Sequence, residues 1–168
     1  MKTQKLLAQQ FGMMYHVTGM NVGDMTQEQS LSQPSPGGNC ANWILGHLTD
    51  VQNAAMNLVG ENPVWDSEDL KRASYDPITG PARAIDWETM RSRFLESRER
   101  CLAAIQNLED ERLVDNVPHP FGGQTSRAEL LAMLAQHQMY HAGQLAMARR
   151  TAGLEGVVKG PGQEARSV

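Results

Sequence analysis

Four segments of this chain repeat apolar side chains every three or four residues, which is the period of an amphipathic α-helix. They lie at about residues 3–20, 40–59, 86–108 and 125–152 of the 168 residues, and clusters rich in proline and glycine separate them. Hardly any segment alternates with the period of two that a half-buried strand requires. Since each apolar face needs neighbouring helices to cover it, the pattern predicts an all-α fold, a four-helix bundle.

Local signals predict where the helices begin. Asn39 and Asp86 are suitable N-cap residues for the second and third helices. At the fourth helix, Ser126 is followed three residues later by Glu129, which is the capping-box pattern. These signals place three helix starts within a residue or two.

The connection between the second and third helices, residues 61–84, is long and contains three prolines. A structureless link of this length is uncommon in a compact domain. Because it is long enough to run the full length of a helix, it permits these two helices to lie parallel, in a bundle with a long crossover connection. Residues 1–153 are predicted to form a single domain, followed by a loosely ordered tail at 154–168.

Composition narrows the function classes. The chain has fifteen basic and nineteen acidic residues, which gives a net charge of −4. This charge argues against a dedicated nucleic-acid-binding protein. No apolar run approaches the roughly 20 residues that cross a bilayer, and residues 1–10 lack the apolar block of a signal peptide. Cys40 and Cys101 are too few for a disulfide framework and are expected to be reduced thiols in a cytoplasmic protein.

The strongest chemical signal is a pair of histidines in the fourth segment. His137 and His141 are four residues apart, so they lie about 6 Å apart along the helix and about 40° apart around it. Both imidazoles can therefore reach one metal ion. The pair shares the predicted inward face with Leu130 and Leu134. Such pairs also occur by chance, so this observation alone is weak.

A third histidine strengthens the metal interpretation. His47 is predicted to lie in the middle of an apolar face of the second helix, which comprises Cys40, Trp43, Ile44, His47, Val51, Ala54, Ala55 and Leu58. One divalent ion would satisfy three inward imidazoles at once, whereas three buried rings without a ligand would each need a separate partner. The alternative is a purely structural bundle with hydrogen-bonded core histidines.

Three protein ligands would leave at least one coordination position of the ion open. A structural zinc site, in contrast, is closed by four protein ligands. An open site can lower the pKa of a bound water to about 7, or hold a substrate thiolate or carbonyl. Because neutral imidazoles do not balance the charge of the ion, an anionic further ligand is favoured. Gln138 follows the first histidine of the pair where zinc proteases have a glutamate base, so that protease chemistry is not expected.

These motifs resemble the DinB / YfiT-like metal-binding superfamily. The resemblance rests on Asn-Trp-Ile-Leu-Gly-His-Leu at 42–48, on His137-x-x-x-His141-x-Gly143-Gln144-Leu145, and on Phe-Gly-Gly at 121–123, and it covers nearly the whole chain. It implies a four-helix bundle with a long crossover and a metal held by His47, His137 and His141, with nickel or zinc usual. Homodimers are frequent in the superfamily. Ala142 departs from it, because relatives often have arginine there.

Four further residues are candidates for the pocket or for contacts to the metal ligands. Gln144 lies one turn beyond the histidine pair and is placed to orient a ligand. Tyr140 lies at the edge of the same face, as a core residue or a pocket residue. Asp50 lies one turn beyond the histidine of the second helix, as a supporting carboxylate or a surface residue. His16 either enters the pocket or lies at the surface.

Members of the superfamily include thiol-dependent transferases and isomerases, and metal-dependent hydrolases. The open three-histidine site favours a metal-dependent enzyme, either a hydrolase or a thiol-dependent transferase. The expected partner is a small-molecule substrate, with a low-molecular-weight thiol as one candidate. The alternative is a non-catalytic metal- or ligand-binding module in a stress response. Neither hypothesis involves a nucleic acid or a membrane.

Overall fold

The computed structural model of the chain describes residues 2–73 and 76–158. Four long helices form a bundle, and short elements occupy the connections between them. The helices are α1 (Thr3–Val22), α2 (Gln27–Ser30), α3 (Ala41–Leu58), α4 (Glu68–Ala73), α5 (Trp87–Gln106), α6 (Asp110–Leu113) and α7 (Arg127–Thr151), with a 3-10 turn at Pro81–Arg83. The strands are β1 (Asn116–Pro118) and β2 (Gln124–Ser126).

The four long helices surround one core. Helix α1 packs mainly on α5 and α7, and α3 packs on the same two helices, so α1 and α3 occupy diagonal corners. Between the neighbouring helices α1 and α5, the hydroxyl groups of Tyr15 and Ser97 lie 2.7 Å apart, and the Tyr15 ring packs on Phe94. This arrangement confirms the predicted four-helix bundle.

Helices α3 and α5 run parallel, as the long crossover permits. Asn42, at the start of α3, hydrogen-bonds the backbone of Ile85 just before α5. Further along both helices, the Gln52 amide lies 3.1 Å from Cys101 Sγ. Helix α7 runs the opposite way to α3, since the Arg127 guanidinium at its start bonds a carbonyl at the end of α3.

Two of the predicted helix starts are confirmed by their caps. The Asp86 carboxylate accepts a bond of 2.8 Å from the backbone N–H of Thr89, and Ser126 and Glu129 form a reciprocal capping box at α7. The predicted cap of α3 is wrong. That helix begins one residue later, with Cys40 in the N-cap position and no side-chain bond.

The buried face of α3 is rotated from the predicted one. Asn42 and Gln52 are completely buried, whereas Val51 is half-buried and Ala54 is exposed. Burial of Asn42 is compensated because its side chain bonds both backbone groups of the residue before α5. Gln52 donates to a thiol, and its Oε1 is buried without a partner. Because the face is rotated, His47 is half-buried at the edge of the buried face and not in its middle.

The crossover has more structure than the sequence predicts, since it contains α4 and the 3-10 turn. Its first part is held by Asn53 on α3, whose amide bonds the backbone of Val64 and Trp65. The connection before α7 contains a hairpin of β1 and β2 that the sequence analysis does not predict. The glycines at its turn, Gly122 and Gly123, have φ of 97° and 77°, a conformation that favours glycine.

Cys40 and Cys101 are both buried and free, as expected. Within the part of the chain that the structure describes, none of the helices is both long and apolar enough to span a bilayer. The predicted tail falls mostly on residues 159–168, which lie outside the described residues. The division into a domain and a tail stays a prediction.

Candidate metal centre

The two histidines of α7 and the histidine of α3 come together between these antiparallel helices. His47, His137 and His141 each offer one ring nitrogen, and these three atoms lie within 4.8 Å of one another. The Nε2 atoms of His47 and His137 are 2.9 Å apart. The His141 ring centroid lies 4.6 Å from each of the other two centroids.

The histidine cluster is partly accessible from solvent. His47 and His137 are half-buried, and His141 is 8% exposed. Gln138, directly after the first histidine of the pair, is instead completely buried and belongs to the bundle interior. On α3, His47 lies at the edge of the buried face and is accessible from solvent.

Gln144 holds one of the rings. Its Oε1 lies 2.8 Å from Nδ1 of His141, so the amide oxygen accepts the Nδ1–H and leaves the lone pair on Nε2. Its Nε2 donates to the hydroxyl of Tyr140 at 3.0 Å. Histidines that bind a metal usually donate their second ring N–H to such an acceptor.

Tyr140 lies beside the site and not in the core. Its side chain is 65% exposed, so the alternative of a core residue is wrong. The Tyr140 ring meets the His141 ring edge-on, with centroids 5.1 Å apart and an interplanar angle of 77°. Its hydroxyl accepts the bond from Gln144, which links ring, amide and phenol in one chain.

Trp43 is part of the site although sequence reasoning assigned it only to an apolar face. Its ring stacks on the His47 ring, with centroids 5.2 Å apart and an interplanar angle of 11°. The indole N–H donates to the backbone carbonyl of Asp76 in the crossover at 3.1 Å. The signal in the sequence was its position four residues before the histidine, on the same side of the helix.

Burial keeps these rings uncharged. Desolvation lowers the pKa of His137 and His141 below the ordinary value of 6.5. It lowers the pKa of His47 to about 4, and the other two histidines add to this shift by electrostatic repulsion. Neutral imidazoles keep the lone pair that a metal ion requires.

Asp50 and His16 are the two remaining candidates. Asp50 is half-buried on α3, but it does not hydrogen-bond Nδ1 of His47, because that buried nitrogen has no partner. Its supporting role stays a prediction. His16 is exposed on α1, at the corner diagonal to α3, so the structure does not place it in the pocket.

The residues present fit a divalent cation. Three neutral nitrogen donors converge from two helices, and one of them is oriented by an amide. Within the described residues, this group is made of histidines alone and contains no carboxylate or thiolate. Imidazole ligands of this kind suit zinc, nickel, copper and iron, so the donor set by itself leaves the metal open.

Comparisons with known proteins agree with this fold. A sequence model of the DinB superfamily matches residues 10–145. One similar solved structure is a conserved protein from Enterococcus faecalis, with a TM-score of 0.68, 16% identity, and coverage of 90% of this chain and 98% of that chain. None of the curated proteins matches the chain.

A second similar structure is YfiT from Bacillus subtilis, described as "a probable metal-dependent hydrolase with an unusual four-helix bundle topology". Its TM-score is also 0.68, its identity is 18%, and the match covers 90% of this chain and 89% of that chain. At these identities the two structures establish a shared fold, a four-helix bundle, and no shared reaction.

Proposed function

Because this chain belongs to the DinB superfamily, we propose that it binds one divalent cation through His47, His137 and His141 and acts as a metal-dependent hydrolase. The observation that carries the proposal is the convergence of three ring nitrogens within 4.8 Å at a position that solvent can reach. The description of YfiT as a probable metal-dependent hydrolase supports the choice of reaction class.

Each side chain of the site has a separate task. One histidine from α3 and two from α7 supply the donor atoms, so an ion here would join the two helices. Gln144 fixes the orientation of one ring by accepting its Nδ1–H. Trp43 covers a face of the His47 ring and limits the direction from which a substrate approaches. When bound, a divalent ion would supply Lewis acidity, lowering the pKa of a coordinated water or thiol and polarising a carbonyl.

Three protein donors leave room for a small-molecule substrate beside the histidines. Since the described donor group has no carboxylate, an anionic ligand from outside the protein is favoured. This observation supports hydrolysis and equally supports a second candidate, a transferase that uses a low-molecular-weight thiol. Nickel or zinc as the metal, and a homodimer as the assembly, remain predictions that follow from the resemblance to the superfamily.

The test compares turnover of metal-free protein with that of protein reconstituted with zinc or nickel, on a panel of esters, amides and thiol-conjugation substrates. We expect turnover only with metal and loss of turnover in His137→Ala. His16→Ala is the matched control, because that histidine is exposed and lies outside the cluster.

The alternative to an enzyme is a non-catalytic metal-binding module. It predicts stoichiometric metal in the wild-type protein, loss of that metal in His137→Ala, and no turnover of any substrate class with or without metal. That combination of results would contradict the catalytic part of the proposal and leave the metal site intact.

A further inference from the structure

A groove next to the three histidines is not used by the proposed reaction. It has a volume of about 420 Å³ and lies between the loop before α3 and the C-terminal half of α7. Its walls include Pro34, Ile44, Gln144, Met147 and Thr151. Cavities that hold small ligands begin at about 300 Å³, so this one is large enough for a small organic group.

The groove is adjacent to the metal centre on both helices, although none of the three histidines lines it. On α7, Gln144 lines the groove and holds His141 at 2.8 Å. On α3, Ile44 lines the groove and precedes His47 by three residues, a rise of about 4.5 Å along the helix. A molecule bound at the histidines can therefore extend into the groove without leaving the protein surface.

The lining has a definite chemical character. Its apolar members include Pro34, Ile44 and Met147, and its polar members, such as Ser35 and Thr151, carry no charge. No Lys, Arg, Asp, Glu or His is found among the described residues that line it. A charged group would lose hydration there without gaining a counter-charge, whereas an apolar group is stabilised by leaving water.

The wall opposite α7 is held in a shape that glycine permits. Gly38 has φ of 132°, and a Cβ atom at this position would lie 2.9 Å from Cγ of Pro34. A side chain at Gly38 would thus be strained and would push Pro34 from its place. Methionine on the other side is flexible and adapts to ligands of different shape.

We propose that this groove binds the uncharged, largely apolar tail of a small-molecule substrate whose metal-binding head lies at the three histidines. The proposal rests on the proposed function, because the head needs the metal. It adds a substrate class, a molecule with a neutral apolar tail, and it assigns the selection of that tail to the wall formed by the loop 34–39 and α7.

The test uses zinc-loaded protein and a series of n-alkyl hydroxamates, in which the head binds the metal and only the tail length changes. Affinity is measured by calorimetry, after the zinc content of the protein has been determined. We expect affinity to rise about threefold to fourfold for each added methylene until the groove is full. A tail ending in a carboxylate should bind more weakly than a methyl-ended tail of the same length.

A charge introduced at the rim of the groove tests whether the substrate tail binds there. Thr151 is exposed, so Thr151→Lys places an ammonium group at the groove without disturbing the core. This variant should bind the carboxylate-ended tail several-fold more tightly than the wild-type protein does. Met13→Lys is the matched control, an exposed residue of another long helix outside the groove, and it should leave both affinities unchanged.

The outcomes separate this inference from the proposed function. If zinc binds stoichiometrically and acetohydroxamate binds, but affinity is independent of tail length, the groove assignment is wrong and the metal site stands. An equal response of Thr151→Lys and Met13→Lys to the carboxylate-ended tail would overturn the assignment in the same way. If the protein retains no zinc, both proposals fail together.

Discussion

The Oε1 atom of Gln144 accepts the Nδ1–H of His141 at 2.8 Å, one helical turn further along α7. This bond determines which nitrogen of the ring keeps its lone pair, and it holds the ring in one orientation. The amide is held in turn by the hydroxyl of Tyr140, 3.0 Å from its Nε2. If the three histidines bind a metal ion as proposed, its affinity should depend on Gln144, which supplies no ligand atom.

Replacing this amide should weaken metal binding without unfolding the protein. Gln144→Leu removes the acceptor, and we expect a tenfold to hundredfold loss of zinc affinity, measured by competition with a chromophoric chelator. Gln144→Glu keeps an acceptor and should retain most of the affinity. Gln136→Leu, an exposed glutamine on the same helix, is the control. Equal affinities of Gln144→Leu and Gln136→Leu would contradict the role of this hydrogen bond.

The stability of the metal-free protein should fall in mild acid. The unfolded chain takes up protons on its histidines near pH 6.5, whereas His47 in the folded protein has a pKa of about 4. The stabilisation linked to this shift is fully present above pH 6.5 and is lost as the pH falls toward 4. Urea unfolding across this range should show a smaller loss for His47→Ala than for the wild-type protein, and identical pH profiles would refute the prediction.

A buried asparagine should be among the most sensitive structural positions. The Asn42 side chain accepts from the Ile85 N–H and donates to the Ile85 carbonyl, both at 2.9 Å, and so joins α3 to the end of the crossover. Asn42→Ala leaves the Ile85 N–H unpaired in the core and removes one of the two donors to the Ile85 carbonyl, the other being the Gln27 amide at 3.2 Å. It should lower the free energy of unfolding by about 2–3 kcal/mol. Asn57→Ala, at an exposed position of the same helix, should change it by less than about 0.5 kcal/mol.

Two adjacent arginines at the end of α7 should respond very differently to removal. Arg149 is 4% exposed, pairs with Asp24, and donates to the carbonyls of Asn21 and Glu155. Arg149→Ala removes the donor to the buried Asn21 carbonyl, whereas Asp24 and Glu155 are exposed and can be hydrated, so it should lower the free energy of unfolding by about 1–3 kcal/mol. Arg150→Ala, at the exposed neighbour, should cost less than about 0.5 kcal/mol. Similar losses in chemical denaturation of the two variants would contradict the prediction.

The sequence predicts the long helices and two of their N-caps because these features depend on residues that are close together in the chain. The capping box of Ser126 and Glu129 and the cap at Asp86 involve residues three positions apart, which a sequence displays directly. The spacing of His137 and His141 is equally local, and the structure places both rings in one cluster.

Features that depend on distant partners were predicted less well. The face of α3 was assigned from apolar residues alone, and this misplaced Asn42, whose burial is stabilised by a backbone more than forty residues away. The same error put His47 in the middle of the core instead of at its edge. The sequence does not single out Trp43 as a site residue for a related reason, since its stacking on His47 and its bond to the crossover arise only when these parts of the chain meet.

The most direct test of the account is the metal content of protein prepared without a histidine tag and dialysed against zinc or nickel. We predict one ion per chain in the wild-type protein and in His16→Ala, and none in His47→Ala, His137→Ala or His141→Ala. Retention of the ion by all three cluster variants, or its absence from the wild-type protein, would contradict the claim that these histidines share one cation.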